Sequence, residues 1–259
     1  VPADAFDLGF SLFWFVKLFC FTIFCWLQEI ANRAGVFRGV AKKNHMNRLE
    51  NWFCATNFWR GVTANRLLPW MLDGSDLGDR VLEIGAGVGA ATRALRQKSS
   101  SVTSLEYSSA FAAKLAKDSR CETFFAPRVA AADEAAVAQL GEPRGKVSAS
   151  VVQGDAAVLP FAPQSFTCAI AILVLHHLPS PELQDRAFAE IHRVLKPGGT
   201  FLALEIPDGW FARQLHIGST FVPVPPASAN ARLNAAGFSR VAVTFRRGAF
   251  LLRAVRANS

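Results

Sequence analysis

The chain is predicted to fold as an α/β domain built on a mostly parallel sheet with helices on both faces. Two observations carry this expectation. From residue 80 onward, short apolar runs of strand length alternate with helical stretches. The first such run, Arg80 to Ile84, passes at once into Gly85-Ala86-Gly87-Val88-Gly89 and then a helical segment, Ala90 to Gln97. Strand, glycine turn and helix form a nucleotide-handling arrangement, because glycine lets the backbone turn tightly against a ligand and the helix start offers free N–H groups. A length of 259 residues, with 51% hydrophobic and 19% charged, suits a large folded domain with an appendage and excludes a disordered or collagen-like chain.

The glycine run alone leaves two readings open, since Gly85, Gly87 and Ala90 also satisfy the GxGxxA form of a dinucleotide fingerprint. A second strand, Ser101 to Leu105, ends at Glu106, 17 residues after Gly89. A carboxylate there can accept both hydroxyls of a ribose, in NAD or in S-adenosylmethionine. The third strand, Ser150 to Gln153, ends in Gly154-Asp155-Ala156, with Leu159-Pro160-Phe161 after it. An acid so placed can take an adenine amino hydrogen while the apolar wall sandwiches the ring. Phe166 to Leu175 reads as the fourth strand and leads to His176-His177-Leu178. A helix from Pro181 to Leu195 stops at Lys196-Pro197-Gly198-Gly199, a sharp turn into the strand Thr200 to Ile206.

Together these segments resemble class I S-adenosylmethionine-dependent methyltransferases. VLEIGAGVG is similar to the family's first motif, LEYS to its ribose acid, GDAAVLPF to its adenine motif, and HRVLKPGG with FLALE to its fifth-strand signature. The resemblance covers about residues 70 to 257 and is similar in detail to the small-molecule branch that includes ubiquinone and menaquinone C-methyltransferases (methyltransferase type 11). It implies a Rossmann-like, seven-stranded, mostly parallel sheet ending in an antiparallel hairpin, here Val241 to Phe245 and Phe250 to Val255 joined through Arg246-Arg247-Gly248. It further implies S-adenosyl-L-methionine as cofactor. Gly85, Ala86, Gly87 and Gly89 would approach the methionine part and Glu83 its amino group through water. Glu106, with Tyr107 beside it, would hold the ribose, Asp155 and the Ala156 backbone the adenine, and Leu173 would border the sulfonium pocket.

Two departures from the family stand out. Cys121 to Lys146 is longer than the connection needs and carries an Ala-rich helical segment, Val129 to Leu140. Thr167-Cys168 stands where relatives often have an acid near the start of the fourth strand.

Methyl transfer from a sulfonium is an in-line displacement, so the protein chiefly positions the nucleophile and excludes water. His176 or His177, where the fourth strand opens, is the candidate base for an acceptor that must lose a proton, with His216 a weaker candidate on the lid. The fourth strand is not followed by an Asn/Asp-Pro-Pro-Tyr/Phe sequence, and no Pro-Cys nucleophile is present, which disfavours nucleic acid as acceptor. The lid candidates, Gly209 to Pro226 with Phe211, Phe221 and Val222, are apolar and predict a small lipophilic acceptor. A non-catalytic cofactor-binding relative, a membrane-associated scaffold and an NAD(P)-dependent oxidoreductase are the competing classes.

The flanks carry the net charge of +8. Residues 28–75 hold Arg33, Arg38, Lys42, Lys43, Arg48, Arg60 and Arg66 against Glu29, Glu50 and Asp73, and residues 240–259 hold five arginines and no acid. Such a distribution suggests surface contact, such as with an anionic membrane, and not a nucleic-acid groove. Residues 10–27 form an apolar run broken only by Lys17, about 27 Å long as a helix, and so a candidate membrane helix. The basic residues beyond it would keep the catalytic domain in the cytoplasm. The expected organisation is an apolar N-terminal extension over 1–40, a helical cap over 41–75 rich in Trp and Phe, and the methyltransferase domain over 76–259. The scattered cysteines, Cys20, Cys25, Cys54, Cys121 and Cys168, suggest neither a disulfide framework nor a zinc site, so no metal is predicted.

Overall fold

The computed structural model describes residues 46–119, 122–125, 149–246 and 248–258. Strands β1 (Arg80–Ile84), β2 (Ser101–Glu106), β3 (Glu122–Phe125), β4 (Ala149–Gln153), β5 (Phe166–Ile172), β6 (Leu195–Glu205), β7 (Phe238–Arg246) and β8 (Ala249–Arg256) form one sheet in the order β3-β4-β2-β1-β5-β6-β8-β7. All neighbours pair in parallel except β8, which runs antiparallel to both β6 and β7. The expected seven strands and their C-terminal hairpin are therefore present, and β3 adds an eighth at the edge, outside β4. The strand order turns back at β1, leaving the carboxyl ends of β1, β2, β4 and β5 around one crevice, where open α/β sheets bind ligands.

Alternation along the central strands builds two cores. Leu82, Ala169, Ala171, Phe201 and Ala203 face one side with Phe188, Ile191, Phe238 and Phe250, while Val81, Cys168, Ile170, Leu202 and Leu204 face the other with Leu68, Met71 and Leu95. Side chains of successive strand residues point to opposite faces, so strands buried on both faces read as unbroken apolar runs. Each fully buried Phe or Leu contributes on the order of 1.5–3 kcal/mol of transfer free energy.

The helices are α1 (Arg48–Cys54), α2 (Asn57–Val62), α3 (Leu68–Leu72), α4 (Thr92–Leu95), α5 (Ser109–Ser119), α6 (Pro181–Val194), α7 (Trp210–Leu215) and α8 (Pro226–Ala235). A π-helical turn, Thr63–Leu67, joins α2 to α3 without a break. Asn47 and Glu50 form a capping box at the start of α1. Helix α6 begins with Ser180 accepting from the Leu183 N–H and Pro181 in the first turn, and its last carbonyls take hydrogen bonds from Arg256. A cation there also complements the helix dipole.

Several expected boundaries move, the two hairpin strands lengthening to Phe238–Arg246 and Ala249–Arg256, and three of the shifts have a plain cause. The helix after the glycine loop shrinks from Ala90–Gln97 to Thr92–Leu95, because residues Val88 to Ala91 are spent in turns. The fourth parallel strand stops at Ile172 instead of Leu175, since Leu173 adopts φ +56° and Leu175–His177 form a 3₁₀ turn. The Lys196–Gly199 turn is a wide bulge within β6, whose register on β5 jumps from Phe166↔Leu195 to Cys168↔Thr200. Glycine is required there, as a Cβ on Gly199 would lie 2.8 Å from the Lys196 carbonyl oxygen and 3.1 Å from that of Thr167. Thr167 itself replaces the expected acid with a hydroxyl clamp: its Oγ1 accepts from Arg80 N–H at 3.1 Å and faces the Leu77 and Arg80 carbonyls at 2.8 and 2.9 Å.

No helix among the described residues is long and apolar enough to cross a membrane. The candidate membrane helix at 10–27 and the Ala-rich segment 129–140 lie outside the described residues.

Candidate active site

The glycine loop leaves β1 with Gly85, Gly87 and Gly89 all in the left-handed region, at φ +65°, +57° and +85°. Their roles differ. A Cβ on Gly85 would stand 2.5 Å from Val174 and one on Gly89 2.5 Å from Leu115, so these two permit close packing. At Gly87 a Cβ would meet nothing within 4 Å, which leaves an open cradle at the apex of the loop.

Two buried carboxylates flank that cradle. Glu106, at the end of β2, accepts the Gly87 N–H on Oε2 and the Ser108 N–H on Oε1, each at 2.8 Å, and so joins loop to strand end. Glu83, on β1, takes the hydroxyl protons of Thr92 (2.6 Å) and Ser104 (2.7 Å) on one oxygen. Its burial pushes the pKa up to about 7 despite those hydrogen bonds, with Glu106 nearby adding to the rise.

Beyond β4, Asp155 accepts the Ala157 N–H on Oδ1 at 2.8 Å and closes a tight turn over Ala156 and Ala157. The Leu159-Pro160-Phe161 wall after it is held by α6. Glu190 accepts the Leu159 N–H, and Arg193, paired with Glu190 at 2.8 Å, donates to the Leu159 and Phe161 carbonyls. Tyr107 is exposed beside Glu106, and its carbonyl accepts from Gln153. Leu173, at the end of β5, is one of three described non-glycine residues at positive φ, a conformation that clusters at functional sites. The Gly85, Ala86, Gly87, Gly89, Glu83, Glu106, Asp155, Ala156 and Leu173 positions thus gather at the carboxyl ends of β1, β2, β4 and β5.

The histidines lie one step further along the same edge. His176 is buried, with Nδ1 at 2.5 Å from Glu205 Oε2 at the end of β6. The other oxygen of Glu205 accepts the Val174 and Leu175 N–H groups. His177 sets Nδ1 3.1 Å from the Thr220 carbonyl, and His216 sets Nδ1 2.6 Å from that of Ala212. Burial pushes the His216 pKa down to about 4, which keeps the ring neutral near neutral pH. Sequence spacing did not unite His216 with the pair, yet the fold brings the ring centroids within 4.9 Å of His176 and 5.3 Å of His177.

The union is made by the cap. Asn47 Nδ2 donates to the Leu215 and Ile217 carbonyls, and Ser219 donates to Glu50 Oε1, so α1 clasps the α7 segment. Gln184, fully buried on α6, fixes the other side through the Leu175 and Val222 carbonyls. Phe221 stacks on His216 at 4.4 Å. Sequence reasoning passed over Glu205, Glu50 and Gln184. Glu205 alone carried a signal, as an acid closing the apolar stretch Phe201 to Leu204.

The protein family described as a methyltransferase domain matches residues 82–203. A 24-methylenesterol C-methyltransferase of Oryza sativa subsp. japonica is 32% identical over 136 residues, which cover 49% of this chain and 29% of the rice protein. The chain spans about 30% of the length of the curated relatives it matches. Among solved structures, a SAM-dependent methyltransferase from Methanosarcina mazei superposes with a TM-score of 0.55 at 20% identity, covering 74% of this chain and 98% of that one. The N-methyltransferase NodS from Bradyrhizobium japonicum, solved with S-adenosyl-L-homocysteine, gives 0.55 at 16% identity over 82% of this chain and 94% of that one. Likeness at these identities concerns the fold.

Proposed function

The sheet domain, matched over residues 82–203, belongs to the class I S-adenosylmethionine-dependent methyltransferases, and from that premise we propose that the chain transfers a methyl group from S-adenosyl-L-methionine to a small lipophilic acceptor. The observation that carries this reading is Glu106, which ties the glycine loop to the end of β2 through both of its oxygens. A carboxylate held in that way is aimed before any ligand arrives, and an aimed acceptor loses little entropy on binding. The open space above Gly87 fits a group that must approach the backbone closely. When bound, S-adenosylmethionine supplies a methyl group activated by the sulfonium charge.

The chain's own residues do the rest by binding and positioning. Glu106, with Tyr107 beside it, takes the ribose hydroxyls; Asp155 and the Ala156 backbone take the adenine edge; Leu159, Pro160 and Phe161 cover the ring. Glu83 draws the cofactor's amino group through water, and Gly85, Ala86, Gly87, Gly89 and Leu173 line the methionine part. His176 and His177 stand toward the acceptor. Their Nδ1 atoms are engaged by Glu205 and by the Thr220 carbonyl, so the basic lone pair of each ring lies on Nε2. One of them accepts the acceptor's proton when the acceptor carries one to lose.

Support for a lipophilic acceptor comes from the apolar character of the lid and cap. Phe221 packs on the histidines, and Trp52 and Trp210 stand exposed on α1 and α7. The rice sterol methyltransferase among the relatives points the same way. The test is incubation of the full chain with S-adenosylmethionine and a panel of sterols, prenylated phenols and polar small molecules, followed by mass spectrometry. A methylated lipophilic product is expected, together with S-adenosylhomocysteine. Methylation confined to polar acceptors would contradict the acceptor class.

A further inference from the structure

We propose that His176, His177 and His216 form a binding site for a divalent transition ion of the zinc class, at the acceptor end of the crevice. The inference goes beyond methyl transfer and stands on the geometry of the histidines and Glu50; only its place at the acceptor end rests on the function proposed above. One ring nitrogen from each of the three histidines can be chosen so that all three lie within 4.8 Å of one another. A tetrahedral ion bound at about 2.0–2.1 Å sets its nitrogen ligands roughly 3.4 Å apart, so modest side-chain rotations close the site.

The hydrogen bonds around the rings select the tautomer that such an ion needs. A carbonyl can only accept, so His177 and His216 must carry their protons on Nδ1, toward Thr220 and Ala212. His176 donates from Nδ1 to Glu205, a carboxylate already held by two backbone N–H groups. With the proton on Nδ1, the nitrogen of each ring left to bind an ion is Nε2. Metal-ligating histidines show this pattern, in which the non-ligating nitrogen donates to a carboxylate or a backbone carbonyl that fixes the ring and raises its basicity.

A second observation comes from Glu50. Its Oε1 lies 3.6 Å from His216 Nε2, too far for a hydrogen bond. With the His216 proton on Nδ1, two lone-pair atoms face each other inside the protein, an arrangement that a cation between or beside them would relieve. Glu50 is then the candidate oxygen ligand, positioned by Ser219 and by the Asn47 N–H. Three imidazoles with one oxygen, or with one open position, suit zinc better than magnesium or calcium, which prefer all-oxygen sets. An acceptor hydroxyl or thiol reaching the open position would have its pKa lowered by the ion's charge, and the imidazoles would then serve as ligands instead of as base.

The test titrates Co²⁺, as a spectroscopic stand-in, into the chelator-stripped full chain. One saturable equivalent with tetrahedral d–d absorption is expected, displaced by Zn²⁺. It should weaken at least tenfold in His177→Asn and His216→Asn and persist in His192→Asn, a histidine outside the cluster. S-adenosylhomocysteine binding, followed in the same samples, reports folding and reads the cofactor site separately from the ion. X-ray absorption on the wild-type Zn²⁺ form depends on no variant and should show three imidazole ligands. No saturable absorption, absorption unchanged in His177→Asn and His216→Asn, or fewer than two imidazoles at the zinc would overturn the proposal.

Discussion

At the residue scale, the glycines of one loop separate packing from ligand approach. Gly85→Ala drives a Cβ to 2.5 Å from Val174 at φ +65°, and a marked loss of stability is expected. Gly87→Ala meets no neighbour and costs about 1–2 kcal/mol for its left-handed backbone. It should nonetheless weaken S-adenosylhomocysteine binding at least tenfold, because its methyl group fills the cradle. Thermal melts beside calorimetric titrations distinguish the two, and normal binding by Gly87→Ala would show that the ligand does not approach there. Glu83 gives a pH signature. Its folded pKa near 7 lies above the ordinary 4.5, so its contribution to stability is full below about pH 4.5 and is lost as pH rises through about 7. Glu83→Gln should therefore gain stability relative to wild type between about pH 5 and pH 8 in denaturant titrations. An equal difference at the two pH values would mean the carboxyl is not raised.

At the scale of elements, the sequence announces strands more faithfully than the turns that end them. β1 matches its expected span to the residue, because the apolar positions Val81, Leu82 and Ile84, bounded by Asp79 and Gly85, leave no room for slippage. The end of β5 was not legible: Leu173, Val174 and Leu175 are as apolar as the strand before them. The strand stops because Leu173 turns to φ +56° and Glu205, at the end of the neighbouring strand β6, captures the next two N–H groups. Thr167 shows the converse, a polar residue at a strand start whose purpose appears only in three dimensions. Thr167→Val removes the acceptor of the Arg80 N–H and the donor shared by two carbonyls. A loss of about 1–3 kcal/mol is expected, or roughly 2–10 °C in Tm for a chain of this size. A melt unchanged from wild type would show that water replaces the hydroxyl.

For the whole molecule, the residues proposed for the cofactor gather in the structure as their order along the chain suggests, because they sit at strand ends, and strand ends can be read in order along the chain. The acceptor half was less legible. His216 follows His177 by 39 residues with no ligand spacing between them. It joins the pair only because Asn47 and Glu50, far earlier in the chain, hold the α7 segment against the sheet edge. Such a convergence depends on the packing of cap on lid, which no local pattern encodes. The central claim concerns the cofactor, and calorimetric titration of the full chain with S-adenosylmethionine, S-adenosylhomocysteine and NADH tests it most directly. Saturable binding of the first two, weakened at least tenfold in Glu106→Ala and Asp155→Ala, is the predicted result. Binding of NADH alone, or binding of S-adenosylhomocysteine that survives both substitutions unchanged, would contradict it.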